Sequence, residues 1–393
     1  MISEEQAYEQ ILAAANPLPA RRIPLTDAVN CFTAEDYVAN APLPNFDNSA
    51  MDGYAVRVSD CGRDRFLKIV GEQPAGVDRR LRVSLGEAIR IFTGAPIPSG
   101  ADAVVMQEDA TVRGSEISIN TNVQPGEFIR RRGCDLAEGQ KILSKGQRLR
   151  ATTMAALAAQ GLAEVKVGGN VTVAVVSTGD EVIQPGASLR PGEIYDSNSI
   201  LLQTLLAGAG ADVRFASHSP DDEQTLTESL RRGAENSVLL ISGGVSVGQH
   251  DLVKSALGAI GAKIDVWRVA IKPGKPFLFG KAGNCHVFGL PGNPVSSFVT
   301  FLKLVRPAIL RMMGAADDEL SLRTVSARLT EHVEADSDRP HYIRGCLQAG
   351  EFKAVGRQES HALFGLSRSN ALLRVPARKR FRAGESVNVE LWD

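Results

Sequence analysis

Two acidic residues in the middle of the chain could bind a metal ion: one follows a predicted strand, and the other follows a glycine-rich segment. Glu181 comes just after the apolar run Val171 to Val176, and Asp251 comes just after the glycine-rich segment 242–248. Proteins usually hold Mg²⁺ with one or two carboxylates, completed by water and substrate phosphate. Glu181 and Asp251 are therefore candidate metal ligands. The alternative is that Asp180 caps a helix and that Glu181 is only solvated.

Two glycine-containing segments are candidates for binding an anion. Ser242, Gly243 and Gly244 have backbone amides that an anion can approach closely, because glycine has no Cβ. A plain tight turn is the alternative for this segment. Pro291-Gly-Asn-Pro294 precedes an apolar run, so it indicates either an anion bound at a helix N-terminus or an ordinary proline at a helix start.

A pair of lysines lies on a turn that proline and glycine make stiff. The segment Lys272-Pro-Gly-Lys-Pro276 places Lys272 and Lys275 three positions apart. Proline fixes φ, so the turn would lose little further conformational entropy when a ligand binds. Fixed cations of this kind suit a phosphate or another oxyanion. Solvated surface lysines are the alternative interpretation.

Strands and helices alternate around these segments, which predicts how they are positioned. Apolar runs at 171–176, 238–241 and 286–290 are predicted strands, and runs at 200–207 and 295–304 are predicted helices. This alternation favours a parallel sheet covered by helices on both faces. Such sheets bind ligands at the carboxyl ends of their strands, so we expect the candidate segments to meet there.

The flanking segments have a different pattern. Residues 3–15 and 149–160 are predicted helices, with Ser3 as the N-cap of the first and Gly161 just after the second. Residues 47–129 and the segment after residue 318 consist of short alternating runs between glycine and proline turns, which is typical of β-structure. A helical piece interrupted by an inserted β module explains this order.

The composition excludes several classes of protein. The 393 residues include 44 basic and 45 acidic side chains, so no net field favours nucleic acid or an anionic membrane. The 5 cysteines are scattered, which argues against a disulfide framework or a cysteine zinc site. No apolar run approaches the ~20 residues that span a bilayer. We therefore expect a soluble, cytoplasmic protein.

Seven motifs taken together resemble the molybdenum insertase (molybdopterin molybdenumtransferase) family, which includes the E domain of gephyrin. The resemblance covers essentially the whole chain. Its motifs are Asp47-Asn-Ser-Ala-Met-Asp-Gly-Tyr-Ala55, Phe92-Thr-Gly-Ala-Pro-Ile-Pro98, Arg130-Arg-Arg-Gly-Cys-Asp135, Ser177-Thr-Gly-Asp-Glu181, Ser242-Gly-Gly-Val-Ser-Val-Gly248, Lys272-Pro-Gly-Lys-Pro276 and Gly289-Leu-Pro-Gly-Asn-Pro-Val295.

The resemblance implies a multidomain α/β architecture. Its central domain would be a doubly wound, mostly parallel sheet that binds molybdopterin. The expected domains are an elongated helical or linker domain (1–46 and 130–168), an inserted β domain (47–129), the molybdopterin-binding α/β domain (169–315) and a C-terminal β-barrel-like domain (316–393). It also implies a homodimer whose cleft takes residues from both subunits.

The resemblance further implies the reaction: molybdenum from molybdate is inserted into adenylylated molybdopterin, with Mg²⁺ assistance and release of AMP. This is the last step of molybdenum cofactor biosynthesis. The implied catalytic residues are Glu181, Asp251, Asp221, Asp52 and Asp135, with Glu181 and Asp251 on the metal. The implied substrate contacts are Thr93, Arg130, Ser242, Gly243, Gly244, Lys272, Lys275, Pro291, Asn293, Pro294, Arg344 and Ser360.

The resemblance also implies which domain and which subunit supply some of these residues. Asp52, Thr93, Arg130 and Asp135 match positions that reach the cleft from the β domain of the other subunit. Arg344 and Ser360 match molybdate contacts in the tail domain.

Two other functions stay open at this point. Adenylylation of molybdopterin uses a similar α/β domain alone, and the additional β modules argue against it. A non-enzymatic scaffold like gephyrin would need a peptide groove in the tail, for which the sequence shows no marker. The expected partners are small-molecule substrates and, transiently, a molybdopterin adenylyltransferase.

Overall fold

The protein is described here by a computed structural model that covers residues 1–245, 252–335 and 338–392. The chain divides into two compact units. The first unit comprises Met1–Glu35, Ser144–Ala155 and Leu162–Asp393, and the second comprises Asp36–Leu143 and Ala156–Gly161. The helix Ala151–Ala159 contributes residues to both units. The division into four domains stays a prediction.

A six-stranded mixed sheet forms the centre of the first unit. Four of its strands are mutually parallel; the fifth is antiparallel to them, and the sixth, at the edge, is antiparallel to the fifth. The spatial order is Asp212–Ser219, Thr172–Thr178, Val238–Ser242, Cys285–Leu290, Leu278–Ala282 and Lys263–Trp267. The three predicted strands are therefore neighbours, and their carboxyl ends lie at one edge of the sheet.

Helices cover both faces of this sheet, as predicted. Val173 and Val175 face one core, which includes residues of the helices Ser197–Ala209 and Pro294–Thr300. Ala174 and Val176 face the opposite core, which includes residues of the helices Glu223–Gly233 and Leu252–Ala259. Because successive side chains of a strand point to opposite faces, an uninterrupted apolar strand can fill both cores.

Helices of the first unit begin and end where capping residues occur in the sequence. The helix Glu4–Ala14 begins with a capping box formed by Ser3 and Gln6. Asp196 caps Ser197–Ala209, which ends at Gly210 with φ of 87°. The helix after Asn293 runs through Pro294–Thr300, a π-helical turn Phe301–Val305, and then Arg306–Met312. A π-helical turn provides the local rearrangement that a proline inside a helix requires, and Pro307 is the second residue of the helix that follows it.

The C-terminal part of the first unit is a closed five-stranded barrel, as expected for the tail. Its strands, in spatial order, are Arg323–Leu329, Glu351–Ala354, His341–Gln348, Ala371–Val375 and Ser386–Leu391. Short helices Asp317–Leu320 and Leu363–Ser367 accompany it. The N-terminal helix contacts the barrel: the hydroxyl of Tyr342 donates to Glu4, and Arg374 Nε donates to the same carboxylate at 3.0 Å.

Small two-stranded sheets complete the first unit. They pair Arg21–Pro24 with Glu164–Val167, Val182–Ile183 with Ile194–Tyr195, and Val333–Glu334 with Arg380–Phe381. A 3-10 helix at Leu25–Asp27 follows the first of these strands.

The second unit is mainly β, which agrees with its sequence pattern. Its larger sheet contains six strands in the order Ala103–Met106, Gly53–Val56, Glu87–Ile91, Phe66–Gln73, Glu116–Ile119 and Ala110–Arg113. Smaller sheets pair Asn48–Ser49 with Ile129–Arg130 and Tyr37–Val38 with Lys141–Leu143. Turns of 3-10 helix lie at Val58–Asp60 and Gln107–Asp109.

The Asp52–Gly53 pair is not the hairpin turn that its local sequence favours. The strand before it pairs with Ile129–Arg130, while the strand after it pairs with Glu87–Ile91 and Ala103–Met106. Pairing with distant strands has overridden the local turn preference. Among the described residues, no helix combines the length and the apolar character needed to cross a membrane.

Candidate functional site

A cleft of about 1220 Å³ opens in the first unit at the carboxyl ends of the central strands. Many of the predicted site residues line it, although they come from segments that are far apart in the sequence. These residues are Glu181, Asp221, Ser242, Gly243, Gly244, Lys272, Lys275, Pro291, Asn293, Pro294 and Ser360. Glu181 and Lys272 therefore share one cavity, while Asp251 lies outside the described residues.

One side of the cleft carries carboxylates. Asp221 accepts a hydrogen bond of 2.9 Å from the Thr178 hydroxyl, and its amide donates to Asp180 Oδ1 at 2.9 Å. Asp180 thus supports the loop that carries Asp221, and no helix begins at Asp180, contrary to the alternative interpretation. Glu181 is exposed beside Gly179, where a Cβ would lie 2.7 Å from Glu181 Oε2. Glycine at 179 leaves room for the glutamate to fold back at the strand end.

Another side of the cleft carries the two lysines on a turn fastened to the barrel. The Lys272 amide donates to the Pro340 carbonyl at 2.9 Å, and the Tyr342 amide donates to the Lys272 carbonyl at 2.7 Å. Gly274 has φ of 123°, and a Cβ there would lie 2.5 Å from Thr300 Cγ2. The turn therefore cannot accept a side chain at that position without moving. Lys272 is half-buried and Lys275 is exposed to the cleft.

The glycine-rich segment lies between these two sides. Gly243 and Gly244 have φ of 93° and 67°, which only glycine adopts readily. A Cβ on Gly243 would lie 2.7 Å from the Thr178 carbonyl oxygen, and one on Gly244 would lie 2.5 Å from Val253 Cγ2. Glycine is thus required here both by the backbone conformation and by crowding.

Two polar residues at the floor of the cleft were not among the sequence candidates. Asp196 is 3% exposed and accepts from the hydroxyls of Ser177 at 2.6 Å and Ser199 at 2.7 Å. Asn198 is 8% exposed and donates to Ser242 Oγ at 3.0 Å and to the Gly292 carbonyl at 2.7 Å. These residues precede the apolar run 200–207, so their sequence alone indicates only the start of a capped helix. The available signal was a polar residue inside the first turn of an otherwise apolar helix.

Arg344 and Ser360 have different surroundings. Ser360 lines the cleft and accepts from Asn293 Nδ2 at 2.9 Å. Arg344 is 1% exposed and is not part of the cleft lining; its Nη2 donates to the carbonyls of Arg357 and Glu359. Burial lowers the pKa of this guanidinium. Nε and Nη1 of Arg344 have no hydrogen-bond partner among the described residues. In this structure, Arg344 supports the loop that carries Ser360.

The remaining candidates lie in the second unit. Asp52 accepts from the Thr93 amide at 2.7 Å and from the Thr93 hydroxyl at 2.8 Å. These hydrogen bonds lower the pKa of the Asp52 carboxyl, and the backbone amide has the larger effect. Arg130 and Asp135 are exposed. Arg130 also pairs through its backbone with Asn48.

The carboxylates of the cleft determine what metal could fit. Among residues 1–245, 252–335 and 338–392, no group of three or more acidic, histidine or cysteine side chains could hold a metal ion. Glu181 and Asp221 nevertheless offer two carboxylates to one open cleft. Such a donor set fits Mg²⁺, which keeps several waters and takes its remaining ligands from substrate phosphates. It does not fit a structural metal site closed by protein ligands.

Three family models match the chain. They are the MoeA N-terminal region (domain I and II) over residues 2–161, a probable molybdopterin binding domain over residues 174–311, and the MoeA C-terminal region (domain IV) over residues 326–392. The second of these spans contains most of the residues that line the cleft.

Individual relatives are similar along their full length. The molybdopterin molybdenumtransferase of Haemophilus influenzae is 36% identical over 405 residues, which cover 99% of this chain and 98% of that protein. Molybdopterin molybdenumtransferase 2 of Mycobacterium tuberculosis is 35% identical over 402 residues, with 99% and 98% covered. The crystal structure of a molybdopterin biosynthesis moeA protein from Pyrococcus horikoshii OT3 is 31% identical and superposes with a TM-score of 0.83, covering 100% of both chains.

Proposed function

The chain belongs to the molybdopterin molybdenumtransferase family, and we propose that its cleft transfers molybdenum from molybdate to adenylylated molybdopterin with release of AMP. Family membership follows from the three matching models and from relatives 36% identical over 99% of the chain. The protein is thus a transferase of molybdenum cofactor biosynthesis, acting at the molybdenum insertion step. Neither adenylylation of molybdopterin nor a scaffold function is favoured.

One observation supports the assignment of this chemistry to the cleft: carboxylates and ammonium groups line the same cavity at the strand ends. Glu181 and Asp221 supply the negative groups, and Lys272 and Lys275 supply the positive ones. A substrate that carries both a pyrophosphate and a tetrahedral oxyanion needs cations for its oxygens and carboxylates for a bound metal ion. Two backbone hydrogen bonds of Lys272 to the barrel hold the backbone of the turn that carries both lysines before the substrate arrives.

Different residues of the cleft would contact different parts of the substrate. Ser242, Gly243 and Gly244 would bind a phosphate through the Ser242 hydroxyl and the Gly244 amide, while the Gly243 amide donates to the Leu290 carbonyl at 3.2 Å. Lys272 and Lys275 would stabilise charge that develops on the oxyanion, supported by Pro291, Pro294 and Asn293 around the pocket. Ser360 would contact molybdate directly. Arg344 would act through the loop that it supports, or contact the anion if that loop moves.

Mg²⁺ would be held by Glu181 together with Asp251, and Asp221 is a further acidic candidate. The support is the pair of carboxylates at the cleft, Glu181 and Asp221, which matches the sparse protein ligation that Mg²⁺ requires. When bound, the ion would neutralise charge on the pyrophosphate oxygens.

We also propose a homodimer in which the second unit of one subunit completes the cleft of the other. Asp52, Thr93, Arg130 and Asp135 would be contributed in this way. The support is that Asp52 and Thr93 already form an exposed pair with the carboxylate held ionised. A transient contact with a molybdopterin adenylyltransferase, which would deliver the substrate, and a cytoplasmic location stay predictions from the sequence.

The test is AMP release from adenylylated molybdopterin by the purified protein, measured with and without molybdate and Mg²⁺. We expect release that requires molybdate and is abolished by removal of divalent cations. Molybdenum bound to the pterin product should appear in proportion to AMP. ATP consumption with free molybdopterin, without AMP release from the adenylylated compound, would instead indicate an adenylyltransferase.

A further inference from the structure

Two serines at matching positions of neighbouring strands have opposite hydrogen-bonding roles. Ser177 and Ser242 are paired in the register of the central sheet. The Ser177 hydroxyl donates to Asp196 Oδ2 at 2.6 Å. Ser242 Oγ instead accepts from Asn198 Nδ2 at 3.0 Å. Because a hydroxyl has a single hydrogen, that of Ser177 is already used, while that of Ser242 meets no acceptor among residues 1–245, 252–335 and 338–392.

The direction of the Asn198–Ser242 hydrogen bond is fixed by a third group. Asn198 Nδ2 also contacts the Gly292 carbonyl oxygen at 2.7 Å. A carbonyl oxygen can only accept, so the atom that faces it must be the amide nitrogen. That nitrogen has two hydrogens, one for Gly292 and one for Ser242. The amide keeps this orientation even though its Oδ1 is buried without a hydrogen-bond partner among the described residues.

The hydrogen of Ser242 therefore needs an acceptor elsewhere. Among the described residues, the Ser242 hydroxyl donates no hydrogen bond, and Ser242 lines the cleft beside Gly243 and Gly244. An acceptor in the cleft would be an oxygen of a bound ligand. A phosphate oxygen is well suited to this position, since the neighbouring glycines let an anion approach the backbone.

We infer that Asn198 is a positioning residue that commits the Ser242 hydroxyl to donate into the cleft, toward a phosphate oxygen of the substrate. This inference rests on the proposed function, in which the cleft binds a phosphate-bearing pterin. Asn198 acts through Ser242 and through the Pro291–Gly292 segment, and it need not touch the substrate. A buried asparagine thereby leaves the Ser242 hydrogen to point toward the cleft, whereas the Ser177 hydrogen is directed to Asp196.

The test compares dissociation constants for adenylylated molybdopterin, measured without molybdate and Mg²⁺ so that no turnover occurs. Ser242→Ala is expected to weaken binding about tenfold, because a hydrogen bond to a charged oxygen is lost. Asn198→Asp is expected to weaken it at least as much, since a carboxylate would accept the Ser242 hydrogen. The double variant Asn198→Ala/Ser242→Ala is expected to bind no more weakly than Ser242→Ala does.

A third variant, Asn198→Ala, distinguishes positioning from simple support of the fold. In Asn198→Ala the Ser242 hydroxyl loses a donor but meets no competing acceptor, so affinity should fall less than in Asn198→Asp, whose carboxylate accepts the Ser242 hydrogen. Ser199→Ala is the control: it removes another buried hydroxyl from the same helix start, and it should lower stability without changing the dissociation constant. Equal losses in the control, multiplied losses in the double variant, or wild-type affinity in Asn198→Asp would overturn the inference. Absence of binding by the wild-type protein would instead contradict the proposed function itself.

Discussion

The cleft of the first unit and the Asp52–Thr93 surface of the second unit hold their charged groups in different ways. In the cleft, buried polar residues such as Asp196 and Asn198 organise the strand ends, and close packing fixes the glycine-rich turn. On the second unit, Asp52 is exposed, and among the described residues its carboxylate accepts hydrogen bonds only from Thr93. The polar groups of the cleft are thus positioned by the fold, whereas the Asp52 carboxylate stays exposed unless another molecule lies against it.

The largest expected effect is the loss of activity when a cleft cation is removed. Lys272→Ala should lower molybdenum insertion about 100-fold or more, because a fixed charge near the developing oxyanion is lost. Asp251→Ala should have a similar effect through the metal. Activity is measured as AMP release coupled to molybdenum incorporation. Lys263→Ala, which removes an exposed lysine of the same unit, is the control and should retain activity. Wild-type insertion by Lys272→Ala would refute its assignment.

Mixing two inactive variants tests whether the two regions meet across subunits. We expect Asp52→Ala and Lys272→Ala each to be inactive as homodimers. If the cleft takes residues from both subunits, half of the randomly reassembled dimers contain one intact site, which restores about a quarter of wild-type activity. Activity is measured after co-refolding or co-expression with two tags. No recovery in confirmed heterodimers would show that both residues act within one subunit.

A stability comparison sharpens the contrast in packing. Gly244→Ala should destabilise the first unit by about 1–3 kcal/mol beyond the backbone strain, because its Cβ would lie 2.5 Å from Val253 Cγ2. Gly76→Ala, in the second unit, has a similar φ of 83° but no heavy atom within 4 Å of the added Cβ. It should cost only about 1–2 kcal/mol of backbone strain. Urea unfolding followed by circular dichroism measures both, and equal losses would mean that crowding at Gly244 is unimportant.

The smallest expected effect is a change in titration on the second unit. The folded protein lowers the pKa of Asp52, so this carboxyl contributes stability that is present above about pH 4, its ordinary range. That contribution disappears as the pH falls through the lowered value. Thr93→Ala removes the hydroxyl donor but keeps the amide, so the pKa of Asp52 should rise only part of the way. Titration of ¹³C-labelled aspartate carboxyls by NMR checks this, and an unchanged pKa would contradict it.

The sequence was most informative where one physical pattern determines the structure. Buried parallel strands appear as continuous apolar runs, so the strands near Val173, Leu240 and Val287 were predicted correctly, as was the convergence of the loops that follow them. The helix caps at Ser3 and Asp196 were also visible, since capping depends on residues within one turn.

Contacts between distant residues were beyond sequence reasoning. Asn198 bonds to a serine 44 positions away and to a carbonyl 94 positions away, and no local pattern indicates either contact. The burial of Arg344 follows from a loop that folds over it, which the sequence does not reveal. The Asp52–Gly53 pair has the sequence of a hairpin turn, but strand pairing, not local turn preference, determines its conformation.

The contact between the N-terminal helix and the barrel has a consequence for biosynthesis. Glu4 is bonded to Tyr342 and Arg374, so its partners emerge from the ribosome more than 300 residues later. During translation the second unit, which comprises Asp36–Leu143 and Ala156–Gly161, is synthesised long before the first unit is complete. The helix Glu4–Ala14 is therefore synthesised long before the barrel surface that it contacts in the folded protein.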